Sequence, residues 1–557
     1  MLVAMVPQGE NAGRLRRLAE DGSPDGPVIH STDLAAAVAE LDRQHQPRWL
    51  WSSTPEVYPA LLRAGVRVGR CHDLAVAEGL LLGFHGRHGE PRGLAASWAR
   101  CRGLPVPDDP PPRKREAQPA LFEPETDPLP DGADPLDALV ASYAAQVEAI
   151  AALPHPEPMR LLVAADSAGC LAAAEMSHHG LPWRVDVHEE LLVDLLGPKP
   201  APGTRPRRLA ELADAITAAF GGRQVNPDSP PSVVRAFAKD GVEVASTRAW
   251  VLRKVDHPAV PPLLEYKELA RLYAAHGWSW LESWVTDGRF RPEYVVGGVV
   301  SGRWATRGGA ALQLPRALRR AVRADPGWRL VVADAAQLEP RVLAALSADR
   351  RMAEVASTGD LYASLAADSF DGDRGRAKIA LLSAMYGGMG GEAGALLAVL
   401  RRRFPDAVGY VEAAARAGEQ GRLVRSRLGR TSPPPSSAWR ELTGQPEPDE
   451  NTARRSLRAA REWGRFTRNF VVQASASDWA SAMLAALRRR LAAHAPAAQL
   501  VFFQHDEVMA HCPAEVAETV AEQVALAGQE ASRLVFGPTP VRFPLTAAVV
   551  DCYADAK

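Results

Sequence analysis

The clearest pattern of polar and apolar positions in the chain has the period of a helix. Arg374, Lys378, Leu382 and Tyr386 stand four residues apart, and side chains with that spacing share one face of an α-helix. The pattern predicts a helix whose stripe carries two cations, an apolar residue and a phenol, with a Gly-Gly pair after it. A guanidinium and an ammonium one turn apart suit the oxygens of a triphosphate, although a solvated basic face is the more common reason for such a stripe.

Two apolar runs have the character of strands that end at acidic residues. Residues 328–333 are mostly apolar and lead to Asp334, after which the pattern becomes helical. Residues 500–512 contain two short apolar segments around a polar tip, which predicts a hairpin with Asp506 at or near its turn. Two aspartates at strand ends suit a two-metal phosphoryl-transfer site, because carboxylate oxygens are hard ligands for Mg²⁺. Either acid alone is more often a helix cap or a surface charge.

Taken in the order in which they occur along the chain, the three stretches resemble motifs A, B and C of the family A DNA polymerases, the bacterial DNA polymerase I family. The family's Asp-Tyr-Ser-Gln-Ile-Glu-Leu-Arg is matched by Asp-Ala-Ala-Gln-Leu-Glu-Pro-Arg at residues 334–341. Its Arg-x3-Lys-x3-Phe/Tyr-x3-Tyr-Gly is matched by residues 374–387, with leucine at the third position, and its His-Asp-Glu by residues 505–507. Three separate motifs in the family's order make the resemblance specific.

The resemblance extends beyond these motifs. Ser-Gly-Arg at 301–303, Gln-Leu-Pro at 313–315 and Arg-x3-Asn-x3-Gln at 465–473 also match the family, so that about residues 156–557 are covered. What the resemblance implies is template-directed 5′→3′ DNA synthesis in DNA repair or gap filling. It also implies a right-hand polymerase of thumb, palm and fingers.

The fold class that follows is α/β, more fully an α+β multidomain chain in which a small exonuclease-like α/β domain precedes the polymerase. The expected division is residues 1–105 with 138–155 for the exonuclease-like domain, 106–137 for a Pro-rich and acidic linker, and 156–557 for the polymerase. Within the polymerase, the thumb is expected at about 205–295, the palm at about 296–345 and 471–557, and the fingers at about 346–470.

The exonuclease-like part lacks the acidic residues with which the family's 3′–5′ nuclease holds two metals. The first strand, residues 1–8, contains no acid, and the stretch 51–56 offers only a misplaced Glu56. Val147 stands where the family's Tyr-x3-Asp has its aspartate. A degenerate domain without excision is therefore predicted. An active exonuclease is the alternative, and Mg²⁺-dependent excision that survives Asp334→Ala would establish it.

The resemblance also assigns roles to individual residues. Two Mg²⁺ ions, for which Mn²⁺ can substitute, are expected on Asp334, Asp506 and the backbone carbonyl of Ala335. The expected catalytic residues are Asp334, Asp506, Glu507 and Lys378, the last as general acid for pyrophosphate. The expected dNTP-binding residues are Arg374, Lys378, Leu382, Tyr386, Glu339 and Gln337. The expected DNA-binding residues are Arg303, Gln313, Arg465, Asn469, Gln473 and His505.

Three positions depart from the family motifs. Ala335 replaces a tyrosine beside the metal aspartate, Leu382 replaces an aromatic residue that packs on the incoming sugar, and Pro340 replaces a leucine. Because proline fits only the first turn of a helix, the helix is expected to start close to Glu339. Leu382 leaves a ribonucleotide-tolerant polymerase as one alternative, against which Glu339, at the family's gate against a ribose 2′-hydroxyl, argues. A catalytically weak DNA-binding or scaffold protein is the other.

Two further patterns carry local predictions. Asp360 precedes a helical pattern and is expected to be its N-cap. A set of arginines in the predicted fingers is expected to add positive charge near the template path. Its members are Arg401, Arg402, Arg403, Arg422, Arg425, Arg427 and Arg430.

Length, composition and charge limit what kind of protein this is. A chain of 557 residues, 46% hydrophobic and 24% charged, is long enough for several globular domains. Its net charge of −1 requires any DNA contact to come from local patches. Five scattered cysteines and the lack of a signal peptide or long apolar run predict a cytoplasmic protein. The resemblance to the bacterial family implies that it is bacterial and nucleoid-associated. The expected partners are primer–template DNA and dNTPs, with no membrane. The chain is expected to act as a monomer, and the 5′-nuclease of full-length relatives is expected from a separate protein.

Overall fold

The computed structural model describes residues 1–556 apart from 10, 20, 112–128, 358, 388–391 and 446–448. The middle of the predicted linker and Gly388 of the Gly-Gly pair lie outside these residues. The chain forms two compact units, each defined by the contacts among its own residues. The larger unit consists of Met1–His178, Tyr294–Ala305 and Val331–Ala548, and the smaller unit of His179–Glu293, Thr306–Leu330 and Val549–Lys557. In the described ranges, no helix has the length and apolarity that crossing a bilayer requires.

The first part of the larger unit, here called the N-terminal region, is built on a mixed sheet. Its elements are β1 (Leu2–Gln8), β2 (Ala12–Leu18), β3 (Ile29–Ser31), α1 (Leu34–His45), β4 (Arg48–Trp51), α2 (Thr54–Arg63), β5 (Arg70–Asp73), α3 (Leu74–Phe84), α4 (Leu94–Arg102) and α5 (Pro135–Ala151). The long helix α6 (Pro156–His179) follows this region. The strand order is β3-β2-β1-β4-β5. Strand β1 runs antiparallel to β2 and parallel to β4, with Leu2 opposite Leu18 on one side and Arg48 on the other.

Strand β1 is apolar on both faces because helices cover the sheet from both sides. Val3 and Met5 belong to a core cluster with Leu171 of α6. The alternate residues Leu2 and Ala4 belong to a second cluster formed with α5. This alternation follows the two-residue period of a strand. Helix α5 begins at Pro135, three residues inside the range predicted for the linker.

A buried ion cluster fastens the N-terminal region to the rest of the larger unit. Glu175 of α6 accepts hydrogen bonds from Tyr58 Oη at 2.7 Å, from Arg67 Nε at 3.0 Å and from Arg488. Arg488 also donates to the carbonyls of Val68 and Gly69. Although burial opposes ionisation, Arg488 and Arg67 lower the pKa of Glu175 to about 2. The cluster therefore carries compensated charge in the core.

The smaller unit is mainly helical. Its first elements are β6 (Leu181–Pro182), α7 (Val185–Leu196), α8 (Arg207–Ala219), α9 (Pro230–Lys239), α10 (Ala249–Leu252), α11 (Val260–His276), α12 (Trp278–Trp284), β7 (Val285–Thr286) and β8 (Arg289–Phe290). The short strands form a three-stranded sheet in the order β6-β8-β7. Phe220, Phe237 and Tyr266 lie in a core cluster shared by α8, α9 and α11. The boundary between a thumb and a palm stays a prediction.

Two buried histidines predict a pH-dependent stability for the smaller unit. Trp183 Nε1 donates to His188 Nδ1 at 3.2 Å, and His188 Nε2 donates to the carbonyl oxygen of His276 at 3.0 Å. Burial lowers the pKa of both imidazoles to about 4. As pH falls below about 6.5, the two histidines become protonated in the unfolded chain but stay neutral in the folded protein. We expect unfolding to become easier by about 2 kcal/mol per histidine between pH 7 and pH 5.

Urea unfolding at pH 7 and pH 5 checks this expectation. The double variant His188→Gln with His276→Gln is the control, because its dependence on pH should be flatter than that of the wild type. Equal pH dependence in the two proteins would contradict it.

The remaining elements begin with β9 (Tyr294–Val295) and β10 (Ala305–Thr306), which pair with each other. They continue with β11 (Trp328–Ala335), α13 (Leu338–Ser347), α14 (Arg350–Ala356), α15 (Leu361–Ser369), α16 (Arg374–Tyr386), α17 (Glu392–Arg403), α18 (Pro405–Glu419), α19 (Ser437–Thr443), α20 (Glu450–His494), β12 (Gln499–Gln504), β13 (Glu507–Pro513), α21 (Ala517–Phe536) and β14 (Leu545–Val550). The last four strands form one sheet in the order β12-β13-β11-β14. Helix α13 starts at Leu338, so Pro340 lies in its first turn and this prediction is confirmed.

Candidate active site

The two motif aspartates lie at neighbouring strand ends. Strand β11 carries Asp334 as its penultimate residue, and β12 and β13 pair Gln504 with Glu507, which leaves His505 and Asp506 as the turn. The predicted strand and the predicted hairpin are therefore confirmed. Strands β11 and β13 are neighbours in the sheet, and the backbone N–H of Ala335 donates to the carbonyl oxygen of Asp506 at 2.9 Å.

The carboxylates at this edge of the sheet fit a magnesium ion whose coordination shell is completed by a substrate. Asp334 and Asp506 are partly exposed, whereas Glu507 is buried. In the part of the chain that the structure covers, no three His, Cys, Asp or Glu side chains are grouped so that they could hold a metal by themselves. Mg²⁺ commonly takes one or two carboxylates and fills its octahedron with waters and substrate phosphates. The donor set therefore suits that arrangement and not a closed structural site.

Helix α16 presents the predicted stripe to solvent. Arg374 and Lys378 are exposed, Leu382 is half-buried, and Tyr386 is 36% exposed. The opposite face is packed into the unit through Ala377, Ala380, Leu381, Ala384 and Met385. The helix ends at Gly387, whose φ of 73° is the left-handed conformation that glycine adopts without strain. The single-faced stripe predicted from the four-residue spacing is confirmed.

Glu339 joins two other predicted site residues. One of its carboxylate oxygens accepts a hydrogen bond from Arg303, and the other accepts one from the phenol of Tyr386. Burial, and then the hydrogen bond to Glu339, raise the pKa of Tyr386. These residues come from three separate segments, and sequence alone predicted a site role for each but not their pairing.

Asp360, which sequence analysis assigned only to a helix cap, contacts two of the predicted site residues. The cap is confirmed, because its carboxylate accepts from the N–H of Ala363 at 3.1 Å. It also accepts from Gln337 Nε2 at 2.7 Å and from Arg374 Nε at 3.0 Å. The amide oxygen of Gln337 accepts from the N–H of Leu361 at 2.8 Å, so both ends of this amide are engaged. Its place before a helical pattern was the only sequence signal for Asp360.

The predicted DNA-binding residues are accessible in the structure. On α20, Arg465 is exposed and Asn469 and Gln473 are half-buried. His505 is exposed at the hairpin turn, and Gln313 is exposed in the smaller unit. The predicted roles of these residues stay predictions.

The position of Arg430 corrects one expectation. This arginine was expected to add charge near a template path, but it is 7% exposed. Its guanidinium donates to Asp166 at 2.8 Å and to Asp478 at 2.9 Å. Burial of a cation requires such partners, so Arg430 is a core residue. A Cβ on Gly302 would lie 2.4 Å from its Nε, which places it against the motif that contains Arg303.

Comparisons with characterised proteins give relatives for this chain. DNA polymerase I of Chloroflexus aurantiacus is 26% identical over 306 residues, which cover 50% of this chain and 31% of that protein. The thermostable DNA polymerase I of Thermus thermophilus is 28% identical over 334 residues, which cover 55% of this chain and 37% of that protein. The aligned part spans about a third of the length of these curated relatives.

A solved structure shares the fold. It is described as the POL domain of Pol1 from M. smegmatis in complex with DNA primer-template and dNTP. The TM-score is 0.71 at 19% sequence identity, over 100% of this chain and 96% of that one. The model of DNA polymerase family A matches residues 204–547, a range that is more than half of the chain and contains all three motifs. The chain belongs to DNA polymerase family A.

Proposed function

We propose that this protein is a template-directed DNA polymerase that adds dNTPs to a primer 3′-hydroxyl. The observation that carries the proposal is the hydrogen bond between the N–H of Ala335 and the carbonyl of Asp506, because it holds the end of the strand that carries Asp334 against the turn that carries Asp506. The exposed cations Arg374 and Lys378 belong to the same unit. The curated relatives named DNA polymerase I, and the solved neighbour that binds primer–template and dNTP, support the same substrates.

Polymerases of this family generally depend on divalent metal ions. The carboxylates of Asp334 and Asp506, with the carbonyl of Ala335, would hold two Mg²⁺ ions or Mn²⁺ in their place. When bound, such ions lower the pKa of the primer 3′-hydroxyl and neutralise charge on the triphosphate.

The chain's own side chains supply the remaining chemistry. Arg374 binds phosphate oxygens through its planar guanidinium. Lys378, one turn further along α16, holds the proton that the leaving pyrophosphate takes. Glu507, which is buried and follows Asp506 directly, would support the metal ions. Primer and template are bound by the residues Arg303, Gln313, Arg465, Asn469, Gln473 and His505.

Primer extension tests the proposal. A labelled primer on a template should be extended by the nucleotide complementary to each template base when dNTPs and Mg²⁺ are present. EDTA should stop the reaction, and added Mg²⁺ or Mn²⁺ should restore it. Binding of primer–template without extension in either metal would overturn the proposal in favour of a scaffold role.

Discrimination between dNTPs and NTPs is proposed to depend on Glu339. Hydrogen bonds from Arg303 and Tyr386 fix its carboxylate, and a fixed side chain excludes a 2′-hydroxyl better than a mobile one. Glu339→Ala is expected to lower the ratio of kcat/KM for dNTP over NTP by about 10- to 100-fold. The control is Glu354→Ala on α14, which removes an exposed acid. An unchanged ratio in Glu339→Ala would show that another group excludes ribose, and a wild-type ratio near one would favour a ribonucleotide-tolerant enzyme.

The N-terminal region is proposed to be an exonuclease-like domain without excision activity. Strand β1 carries no acid, and Val147 of α5 packs against the core cluster formed by β1 and α5. A carboxylate at either place would be needed to hold metal ions for hydrolysis. A labelled primer with a mismatched 3′ end should stay intact in Mg²⁺ without dNTPs. Shortening of that primer by both the wild type and Asp334→Ala would show an active nuclease.

A further inference from the structure

The carboxylate of Asp360 is fixed by three donors from three places in the chain. Oδ1 accepts from the N–H of Ala363 and from Gln337 Nε2, and Oδ2 accepts from Arg374 Nε. Partial burial opposes its ionisation, but these three hydrogen bonds hold the pKa of Asp360 below its usual range. The group is therefore a fixed anion at neutral pH and not a mobile surface charge.

The element that carries Asp360 is itself held in place. Arg341 of α13 is fully buried, and its Nη2 donates to the carbonyl oxygen of Gly359 at 2.6 Å. Its Nη1 donates to the carbonyl oxygen of Ala356 at 2.7 Å. These bonds join α13, which follows the strand that carries Asp334, to the end of α14 and to Gly359, the residue immediately before Asp360.

Among the residues that the structure describes, the guanidinium of Arg374 makes its hydrogen bond through one edge, at Nε. Its Nε donates to Asp360, and its central carbon lies 5.5 Å from the ring centre of Tyr362. In the part of the chain that the structure describes, its two terminal nitrogens have no partner, and the side chain is 54% exposed. A guanidinium fixed through Nε and one face presents both terminal nitrogens together, which is the geometry that binds a phosphate with two hydrogen bonds.

We propose that Asp360 is a positioning residue for the triphosphate of the incoming nucleotide. It orients Arg374 before the nucleotide arrives, so that less side-chain freedom is lost when the triphosphate binds. Asp360 acts through Arg374 and does not touch the substrate. The inference rests on the proposed function, because it names how that site receives its nucleotide.

The test uses Asp360→Asn, because asparagine caps a helix as well as aspartate does. Its amide oxygen can still accept from Ala363 and Gln337, while its NH₂ group faces the N–H of Arg374 and the orienting bond is lost. Binding of dATP with Mg²⁺ is measured by calorimetry on the full chain without DNA. The Kd and the KM for dATP should rise roughly fivefold to tenfold, the equivalent of ordering one long side chain on binding, with kcat within about twofold and the melting temperature unchanged.

Two comparisons separate positioning from charge and from folding. Asp373→Asn removes an equal charge from another helix cap, one that accepts from the N–H of Arg376 and lies next to Arg374 in the chain. Its Kd should stay within about twofold of the wild type, since neither orienting contact of Arg374 is changed. In an Arg374→Ala background, Asp360→Asn should no longer weaken binding, because the residue through which it acts is gone.

Several outcomes would overturn the inference. Tighter binding by Asp360→Asn would mean that the carboxylate competes with the triphosphate for Arg374. An unchanged Kd, an equal loss in the Arg374→Ala background, or no binding of Mg²⁺–dATP by the wild type would each reject positioning. Because binding needs no turnover, the inference can fail while primer extension succeeds. It can also hold in a protein that binds dATP but does not extend primers.

Discussion

Asp506→Ala is expected to lower the rate of primer extension by at least about 10³-fold. Charge stabilisation by metal ions in the transition state is worth several kcal/mol, and about 1.4 kcal/mol is a factor of ten in rate. The fold should be unaffected, because Asp506 joins strand β11 through its backbone carbonyl, which alanine retains. The measurement is single-turnover extension with saturating dNTP and Mg²⁺.

The control for this substitution is Glu515→Ala, which removes an exposed acid just after the same hairpin. It should extend primers at the wild-type rate. Asp334→Ala should match Asp506→Ala, since one carboxylate cannot hold two ions. Extension by Asp506→Ala within tenfold of the wild type, with Mg²⁺ as the metal, would show that the carboxylate is not a metal ligand.

Arg430→Met is expected to destabilise the larger unit by about 3–5 kcal/mol, the usual cost of leaving buried charges without their partner. Asp166 and Asp478, with side chains 4% and 0% exposed, would then remain in the core without their cation. Burial raises the pKa of Asp478 above its usual range. Urea unfolding at pH 7, followed by circular dichroism, gives the free energy of unfolding.

Two controls decide whether charge is the cause. The triple variant that combines Arg430→Met with Asp166→Asn and Asp478→Asn removes all three charges, and it should recover most of the lost stability. Arg350→Ala breaks an ion pair whose arginine is 94% exposed, and it should change stability by less than about 0.5 kcal/mol. If Arg430→Met lowered the free energy of unfolding no more than Arg350→Ala does, the ion pairs of Arg430 with Asp166 and Asp478 would not contribute to folding.

The local structure of the site could be predicted because its signals lie within a few residues of each other. The four-residue spacing from Arg374 defined one face of α16, and proline at 340 limited where α13 could begin. Asp360 was recognised as a cap from its place before a helical pattern. Each of these signals acts through the backbone of its own element, so no knowledge of the packing was needed.

The pairings within the site could not be predicted in the same way. Glu339 and Tyr386 are 47 residues apart, and Asp360 and Arg374 are 14 apart. Which of several arginines is buried depends on the elements packed around it. Arg430 and Arg427 have the same residue type and neighbourhood in sequence, yet only Arg430 lies between two buried aspartates. Such contacts follow from tertiary packing, which periodicity and residue type do not encode.

The buried cluster around Glu175 bears on the history of the N-terminal region. Metal ligands of a nuclease can be replaced by point substitution without disturbing Tyr58 or Arg67, which hold Glu175 together with Arg488. Deletion of the N-terminal region would instead leave Glu175 and Arg488 without Tyr58 and Arg67, and it would expose Leu171 to solvent. If the N-terminal region is the exonuclease-like domain proposed above, its metal ligands can be lost one residue at a time while the region itself is kept, because its side chains complete an ion cluster in the core of the larger unit.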